Sequence, residues 1–309
     1  TDNRIVFNGP IKGGEMIKRY FLNGAVVNMD SENDLRIWEE NRNTNAVVGI
    51  RVNVPPEVFN VNDIGYAEDG FRFGFSEENG ALEKALQRIG KVDVGLHLHC
   101  NSVTRAKEVY IAIAKYAAGI IKKYKLIPAY IDMGGGFFGG VPGKTTPEEY
   151  IQAIAEEFQG VVDFQKTKLI IEPGSAIIGS VVDLHTSVLD VKDTNHARIV
   201  TTDGSRIHID PLWIKRSYMH TLQAKLSEKF SKQVICGYTC MDHDRLMVIE
   251  NENELSVGDQ IVYHRVGAYS MTFGGMFIRY YPEVYVESNL GFECVRKRIN
   301  PEDYVVLQK

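Results

Sequence analysis

The sequence predicts an α/β protein in which strand–helix units form a parallel barrel and a smaller β domain follows. In the first half, short apolar runs alternate with amphipathic runs of helical spacing, a pattern typical of parallel βαβ units. After about residue 179, short β-like runs separated by turn signals replace this alternation. We therefore expect a barrel domain over residues 1–178 and a β-sandwich or small β-barrel domain over residues 179–309.

Six apolar runs in the first domain are predicted strands. They cover residues 5–7, 26–29, 47–52, 94–98, 130–133 and 169–171. Several polar motifs follow directly after these runs, and (β/α)8 barrels place their chemistry at the carboxyl ends of their strands. The predicted architecture is therefore a (β/α)8 barrel of which six strand–helix units are present.

The predicted helices between these strands carry recognisable end signals. The helical run over residues 12–22 stops before Gly24, and glycine commonly follows the last turn of a helix. Ser31 is a suitable N-cap for the next helix. Thr146 and Glu149 form a capping box, so another helix is expected to begin there.

The second domain contains five predicted strands and one predicted helix. The strands cover residues 181–191, 197–202, 233–236, 245–249 and 260–266. Residues 218–230 are interpreted as a helix inserted among them. Asp203-Gly204 and Gly258-Asp259 are typical turn signals between strands.

Composition limits the classes of function. The net charge of −5 offers no basic excess for a general nucleic-acid partner. No apolar run has the length needed to cross a bilayer, and the first residues show no hydrophobic signal segment. The four cysteines form no Cys-x-x-Cys pair, so neither a metal site nor a disulfide scaffold is expected. These features favour a cytoplasmic protein.

Five motifs occur in order along the chain. The most conspicuous is Gly134-Gly135-Gly136, directly after an apolar run, where glycine backbone can turn sharply and wrap a phosphate. An ordinary tight turn is the alternative. The other four motifs are the segments 97–102, 172–175, 240–244 and 267–269.

This ordered set resembles the fold-type III pyridoxal phosphate decarboxylases, the family of diaminopimelate, ornithine and carboxynorspermidine decarboxylases. The resemblance runs nearly end to end and makes residues 4–12 the counterpart of the third barrel strand. The family's first strand carries the lysine that holds the cofactor covalently, and that lysine has no counterpart here. Lys12 and Lys18 do not follow the expected strand. We therefore expect an N-terminal truncation, with missing units supplied by another chain as the alternative.

The resemblance implies a role in cofactor binding for residues in the first domain. It implies that His99 stacks on the pyridine ring and that Glu172 contacts the ring nitrogen, which keeps that nitrogen protonated. The remaining implied cofactor-binding residues are Arg51, Ser102, Gly134, Gly135, Gly136, Gly174 and Tyr269. Without the resemblance, ordinary structural roles are the alternatives. His99 would be a hydrogen-bonded strand histidine, Glu172 a capping or surface group, Tyr269 a half-buried strand aromatic, and Arg51 part of a surface salt bridge. Because His97 and His99 share a strand, we expect only one of them to point into the barrel mouth.

The resemblance also implies a substrate-binding segment in the second domain. There Cys240 is the proton donor after decarboxylation, and Asp244 is a ligand for the distal amine of the substrate. This segment crosses a dimer interface in the family, so a homodimer with shared active sites is expected. Ser175 and Met241 depart from the diaminopimelate and ornithine enzymes and are more like the carboxynorspermidine type.

The expected activity is decarboxylation of a basic amino acid or a carboxylated polyamine, with pyridoxal 5′-phosphate as cofactor. The first alternative is a catalytically inactive homologue that binds polyamine enzymes or their regulators. A racemase of the same fold class ranks last, because the segment 240–244 is typical of the decarboxylase branch.

Overall fold

The computed structural model of the chain describes residues 4–42, 46–91 and 93–307. Its contacts divide the chain into two compact units, of which the first ends at Ala176 and the second begins at Ile177. No helix within the described ranges combines the length and the apolar character required for a membrane span.

A parallel sheet flanked by helices forms the first unit. Its elements, up to the boundary, are β1 (Val6–Phe7), α1 (Gly14–Leu22), β2 (Val26–Met29), α2 (Glu32–Glu40), β3 (Val47–Asn53), β4 (Phe75–Ser76), α3 (Ala81–Ile89), β5 (Gly95–His97), α4 (Lys107–Tyr124), β6 (Tyr130–Gly135), α5 (Pro147–Glu157), β7 (Lys168–Glu172) and α6 (Gly174–Ile178). Six strands pair in parallel in the order β1-β2-β3-β5-β6-β7, and β4 pairs with β3. The six predicted strands and their parallel arrangement are confirmed.

The helix ends follow the predicted capping chemistry. The Ser31 hydroxyl accepts a hydrogen bond from the Asp34 backbone at the start of α2. Thr146 and Glu149 form the reciprocal capping box at the start of α5. Helix α3, which was not predicted, is bounded by left-handed residues Gly80 and Gly90.

The aromatic core of the first unit supports the glycine loop. Tyr110, Phe137 and Tyr150 are buried, and their ring centroids lie 4.7 to 4.9 Å apart. The Tyr110 hydroxyl also donates to the Gly135 carbonyl at 3.0 Å. Helix α4 and the loop after β6 are therefore tied directly to the carboxyl end of that strand.

The second unit is built mainly from antiparallel strand pairs, together with one parallel pair among the described residues. Its elements are β8 (Leu184–Asp193), β9 (Arg198–Thr202), α7 (Arg206–Ile209), β10 (His220–Gln223), β11 (Lys229–Cys236), β12 (Arg245–Asn253), β13 (Gln260–Tyr263), α8 (Ser270–Phe273), β14 (Val284–Ser288), β15 (Gly291–Arg296) and α9 (Pro301–Leu307). Six strands follow the order β10-β13-β8-β9-β11-β12, and β14 pairs with β15 in a separate two-stranded sheet. The five predicted strands are present, and the predicted β domain is confirmed as a fold class.

The predicted helix over residues 218–230 is wrong. This segment contains β10 and the start of β11. Its side chains alternate between half-buried and exposed from residue 218 to residue 225, which is the two-residue period of a strand. Tyr218, His220 and Leu222 therefore lie on one face, and the helical interpretation misjudged this period.

Candidate active site

Polar side chains converge at the carboxyl ends of the parallel strands in the first unit. Asn8 directly follows β1, His97 and Glu172 end β5 and β7, and Asp132 lies within β6. Parallel strands bring their carboxyl ends to one edge of the sheet, so residues far apart in sequence meet there. The Asn8 amide, for example, donates to Glu172, which is 164 positions away.

Glu172 lies at the centre of this group. Its Oε2 is 3.0 Å from Nδ1 of His99, and its Oε1 is 3.5 Å from Nε2 of His97. Both histidines therefore point to the same side. The expectation that only one does so is wrong, because residues two positions apart in an extended chain share a face.

A buried hydrogen-bond network continues from Glu172 into the sheet. Asp132 accepts from Asn8 Nδ2 at 3.3 Å, from Asn28 Nδ2 at 3.2 Å and from the Gly134 backbone at 3.1 Å. Asn28 Nδ2 also donates to Asn8 Oδ1 at 2.7 Å, and the Tyr130 hydroxyl donates to Asn28 Oδ1. We call Asn8, Asn28 and Tyr130 the amide network.

Burial and neighbouring charges act on the two carboxyl groups in opposite directions. Asp132 is fully buried, and this burial together with the Glu172 charge raises the pKa of Asp132 above its usual range. Burial alone would raise the pKa of Glu172 as well. The hydrogen bond from His99 and the neighbouring imidazoles outweigh burial and hold the pKa of Glu172 below its usual range. Glu172 is therefore the stronger acid of the pair and ionises first as pH rises.

His97 is a buried side chain whose hydrogen-bonding capacity is unused. Only 2% of its surface is exposed, and neither ring nitrogen makes a hydrogen bond within the described structure. Burial, followed by the nearby Arg51 guanidinium, lowers the pKa of His97 to about 3. Buried polar atoms are rarely left without partners, so His97 is an exception to the usual pairing.

Glycine at position 134 is required by the His99 ring. Gly134 has a φ of +66°, and a Cβ added to it would lie 2.5 Å from His99 Cγ. A Cβ on Gly135 would lie 1.8 Å from the Glu172 carbonyl oxygen. The glycine run therefore lets β6 pass close beneath both His99 and Glu172.

The two basic side chains near the site are engaged in buried ion pairs. Arg51 lies 3.0 Å from Asp30 and also donates to the His99 carbonyl at 3.0 Å. It supports the backbone of His99. Lys12 Nζ is fully buried, 2.8 Å from Asp34, and donates to the Gly9 carbonyl at 2.7 Å. These bonds oppose a role for Lys12 in covalent attachment of a cofactor.

The other predicted phosphate contacts of the first unit lie in open or loop positions. The Ser102 hydroxyl donates to the Asp63 carbonyl at 3.2 Å and accepts from the Arg105 backbone at 2.9 Å. Gly174 is exposed at the first position of α6, with open space beside its Cα. Their roles toward phosphate stay predictions.

The predicted site residues of the second unit differ in exposure. Cys240 is an exposed free thiol, and Tyr269 is 56% exposed with a φ of +65°. Asp244 is only 2% exposed. It accepts from Ser205 Oγ at 2.9 Å and Thr239 Oγ1 at 2.7 Å, and also from backbone amides. The roles of all three toward substrate or cofactor stay predictions.

The residue types at the strand ends suit a flat aromatic cofactor. Glu172 offers an anionic oxygen to a ring nitrogen, and the partly exposed His99 offers a ring face. Ligand atoms of His97, His99 and Glu172 also lie within 4.8 Å of one another, a spacing that a metal ion requires as well. His99 Nδ1 and Glu172 Oε2, however, are bonded to each other at 3.0 Å, and a metal ion bound through these two atoms would have to replace that bond.

Sequence reasoning missed the amide network and Asp132. Asn28 and Asp132 are polar residues inside otherwise apolar runs, and Asn8 directly follows one. A buried polar residue in a strand needs a partner, so this pattern was a usable signal.

Comparison with known proteins finds relatives along most of the chain. The family model described as pyridoxal-dependent decarboxylase, pyridoxal binding domain, matches residues 1–179. Diaminopimelate decarboxylase of Archaeoglobus fulgidus is 26% identical over 287 residues, which are 88% of this chain and 68% of that protein. Diaminopimelate decarboxylase of Methanocaldococcus jannaschii is 23% identical over 322 residues, covering 98% of this chain and 73% of that protein.

Solved structures show the same fold. Diaminopimelate decarboxylase of M. jannaschii in complex with L-lysine has a TM-score of 0.80 at 22% identity, over 100% of this chain and 75% of that one. Arginine decarboxylase of Paramecium bursaria Chlorella virus, bound to agmatine, has a TM-score of 0.72 at 20% identity, over 89% of this chain and 75% of that one.

Proposed function

The chain belongs to the pyridoxal-dependent decarboxylase family, its cofactor is pyridoxal phosphate, and we propose that it removes the α-carboxyl group from a basic amino acid. The observation that carries this proposal is the anionic Glu172 beside His99 at the strand ends. When bound, pyridoxal phosphate supplies an electron-accepting ring that stabilises the carbanion left by CO2. The carboxylate of Glu172 holds a proton on the ring nitrogen, because an adjacent anion favours the charged form.

We assign the stacking position on the cofactor ring to His99. Its backbone is held by Arg51, and its ring rests against the surface left open by Gly134. The positive φ values of Gly134 and Gly136 turn the loop that we propose for the phosphate. Ser102, Gly174 and Tyr269 are proposed as further phosphate contacts.

We propose that Cys240 returns a proton to the α-carbon and that Asp244 binds the distal amine of the substrate. The exposed thiol of Cys240 supports the first role, because a proton donor must reach the substrate. The resemblance to the family supports a homodimer in which this segment enters the partner's site. A cytoplasmic location is proposed from the four free thiols.

The relatives favour a basic amino acid as substrate. The similar enzymes act on diaminopimelate, and similar structures hold L-lysine or agmatine. Diaminopimelate and lysine carry an amine far from the α-carboxyl group. Agmatine, which is decarboxylated arginine, carries a guanidine far from the carbon that held this group. Ser175 and Met241 favour a carboxylated polyamine as the second candidate, because the Ser175 hydroxyl brings no charge and the Met241 thioether cannot pair with a second amino-acid head group.

The test is a decarboxylation panel on the full-length protein supplied with pyridoxal phosphate. The substrates are diaminopimelate, lysine, arginine, ornithine and carboxynorspermidine, and released CO2 is measured. Release from one of the four amino acids, abolished by Glu172→Ala, is expected. Release from carboxynorspermidine alone establishes the second candidate. No release, together with no cofactor absorbance in the visible range, identifies a catalytically inactive homologue.

A further inference from the structure

We propose that Asp132 is a positioning residue: with the amide network, it fixes the orientation of Glu172 and keeps the single negative charge of the two carboxyl groups on Glu172. Because this role rests on the proposed contact between Glu172 and the cofactor, its test separates the charge distribution from cofactor binding.

The hydrogen bonds of the amide network fix the orientations of the Asn28 and Asn8 side-chain amides. The Tyr130 hydroxyl donates to Asn28 Oδ1, so the NH2 group of Asn28 faces the opposite way. That NH2 group donates to Asn8 Oδ1, which in turn directs the NH2 group of Asn8 toward the carboxyl groups. Both amide oxygens are thereby used, so a proton on Asp132 finds its acceptor in Glu172, with which Asp132 shares a side-chain hydrogen bond.

The Asn8 amide nitrogen links the two carboxyl groups. Asn8 Nδ2 donates to Asp132 Oδ2 at 3.3 Å and also to Glu172 Oε1. A shift of Glu172 would break this shared donor bond as well as its bond to His99. Glu172 is therefore held from the strand side by Asn8 and from the solvent side by His99.

Burial decides which carboxyl group keeps a proton. Two adjacent buried carboxylates repel each other, so one of them is protonated. Asp132 is fully buried, whereas the Glu172 side chain is 28% exposed and bonded to His99. The titratable groups that face the pair are His97 and His99 from the β5 segment and Tyr130 beneath Asp132. The Arg51 and Lys12 charges act on His97, and each of these side chains is held in its own ion pair.

A neutral Asp132 has a direct consequence for the cofactor. Glu172 then carries the only negative charge of the pair beside the ring nitrogen, and its carboxylate stays an acceptor over the working pH range. If Asp132 were ionised instead, the repulsion would raise the proton affinity of Glu172 and weaken its pairing with a protonated ring.

The test is carboxyl ¹³C NMR of the full-length protein, labelled at Asp and Glu side chains and titrated without cofactor. Signals are assigned by their loss in Asp132→Asn and Glu172→Gln. Wild type is expected to show Glu172 ionised at a lower pH than Asp132. Asp132→Asn, a neutral replacement of the same shape, is expected to leave the Glu172 titration unchanged. Asn8→Ala, which removes the donor shared by the two carboxyl groups, is expected to raise the Glu172 midpoint.

Three results decide the proposal. If Asp132 ionises before Glu172, or Asn8→Ala leaves Glu172 unaffected, the role is refuted. If the midpoints follow the expected order but the protein binds no pyridoxal phosphate, the proposed function fails and the charge distribution stands. If a network variant does not fold, the order of ionisation in wild type still tests the proposal, because Glu172→Gln assigns the Glu172 signal. Asp190→Asn, at an exposed aspartate, is the matched control.

Discussion

The strand-end site of the first unit and the motif residues of the second unit are built in different ways. In the first unit, Glu172 and His99 hold each other, and a buried network supports them from below. In the second unit, Cys240 and Tyr269 are exposed. The strand-end part of the candidate site is therefore organised by the fold of the first unit. Parallel strands fix where their ends meet, and no such geometry acts on the exposed residues.

Two buried aspartates sharpen this comparison. Asp244 accepts bonds from Ser205 and Thr239 within its own region, so its oxygens are used to hold that region together. Asp132 shares its donor Asn8 with Glu172 and is linked to the candidate site. Burial alone therefore does not distinguish the two aspartates. They differ in their hydrogen-bond partners, because the Asn8 amide that donates to Asp132 also donates to Glu172.

Removing Glu172 should have the largest effect. Glu172→Ala is expected to lower kcat by about 10³-fold, the scale of losing one preorganised electrostatic contact. Steady-state decarboxylation by the full-length enzyme measures it, with the exposed Glu57→Ala as control.

Cys240→Ala is expected to lower kcat by about 10²-fold, as for loss of a general acid. Equal losses in both variants would break the distinction between the two regions.

Closing the space at Gly134 should act on cofactor binding. Gly134→Ala places a methyl group against His99 in a left-handed backbone, and is expected to weaken pyridoxal phosphate binding by more than about tenfold, or about 1.4 kcal/mol. Gly143→Ala is the matched control, because Gly143 has a φ of +73° with nothing within 4 Å. The left-handed backbone alone should cost each variant about 1 to 2 kcal/mol of stability. Equal cofactor affinity in the two would contradict the role of the His99 contact.

Asp244 should separate structure from substrate binding. Asp244→Ala leaves several buried donors without an acceptor and is expected to lower the free energy of unfolding by about 1 to 3 kcal/mol. Urea denaturation measures this, beside Cys240→Ser, which should change stability by less than about 0.5 kcal/mol. A fully stable Asp244→Ala protein with a raised KM would instead favour its role as a substrate ligand.

The smallest effect is a pH dependence of stability. The raised pKa of Asp132 means that the folded state holds a proton which the unfolded state has lost, so stability falls as pH rises from the usual aspartate range toward neutrality. The lowered pKa of His97 acts in the opposite direction and adds stability as pH rises from about 3 to its usual range. Asp132→Asn should gain stability relative to wild type as pH rises. Parallel curves would contradict the raised pKa.

The sequence predicted what local patterns determine. Six strands, the Ser31 and Thr146 caps and the glycine loop each depend on residues within a few positions of one another. The helix prediction for residues 218–230 was wrong because their apolar residues were assigned a helical period, whereas they follow the two-residue period of a strand. Asn8 and Asn28 were missed because their partners are defined only when distant strands align, and Asn8 meets Glu172 across 164 positions.

The central claim is that Glu172 holds a proton on the cofactor ring. The direct measurement is ¹⁵N NMR of ring-labelled pyridoxal phosphate bound to the full-length protein, compared between wild type and Glu172→Gln. We expect a protonated ring nitrogen in wild type at neutral pH and an unprotonated one in the variant. An unprotonated nitrogen in wild type, or the same signal in both proteins, would contradict the claim.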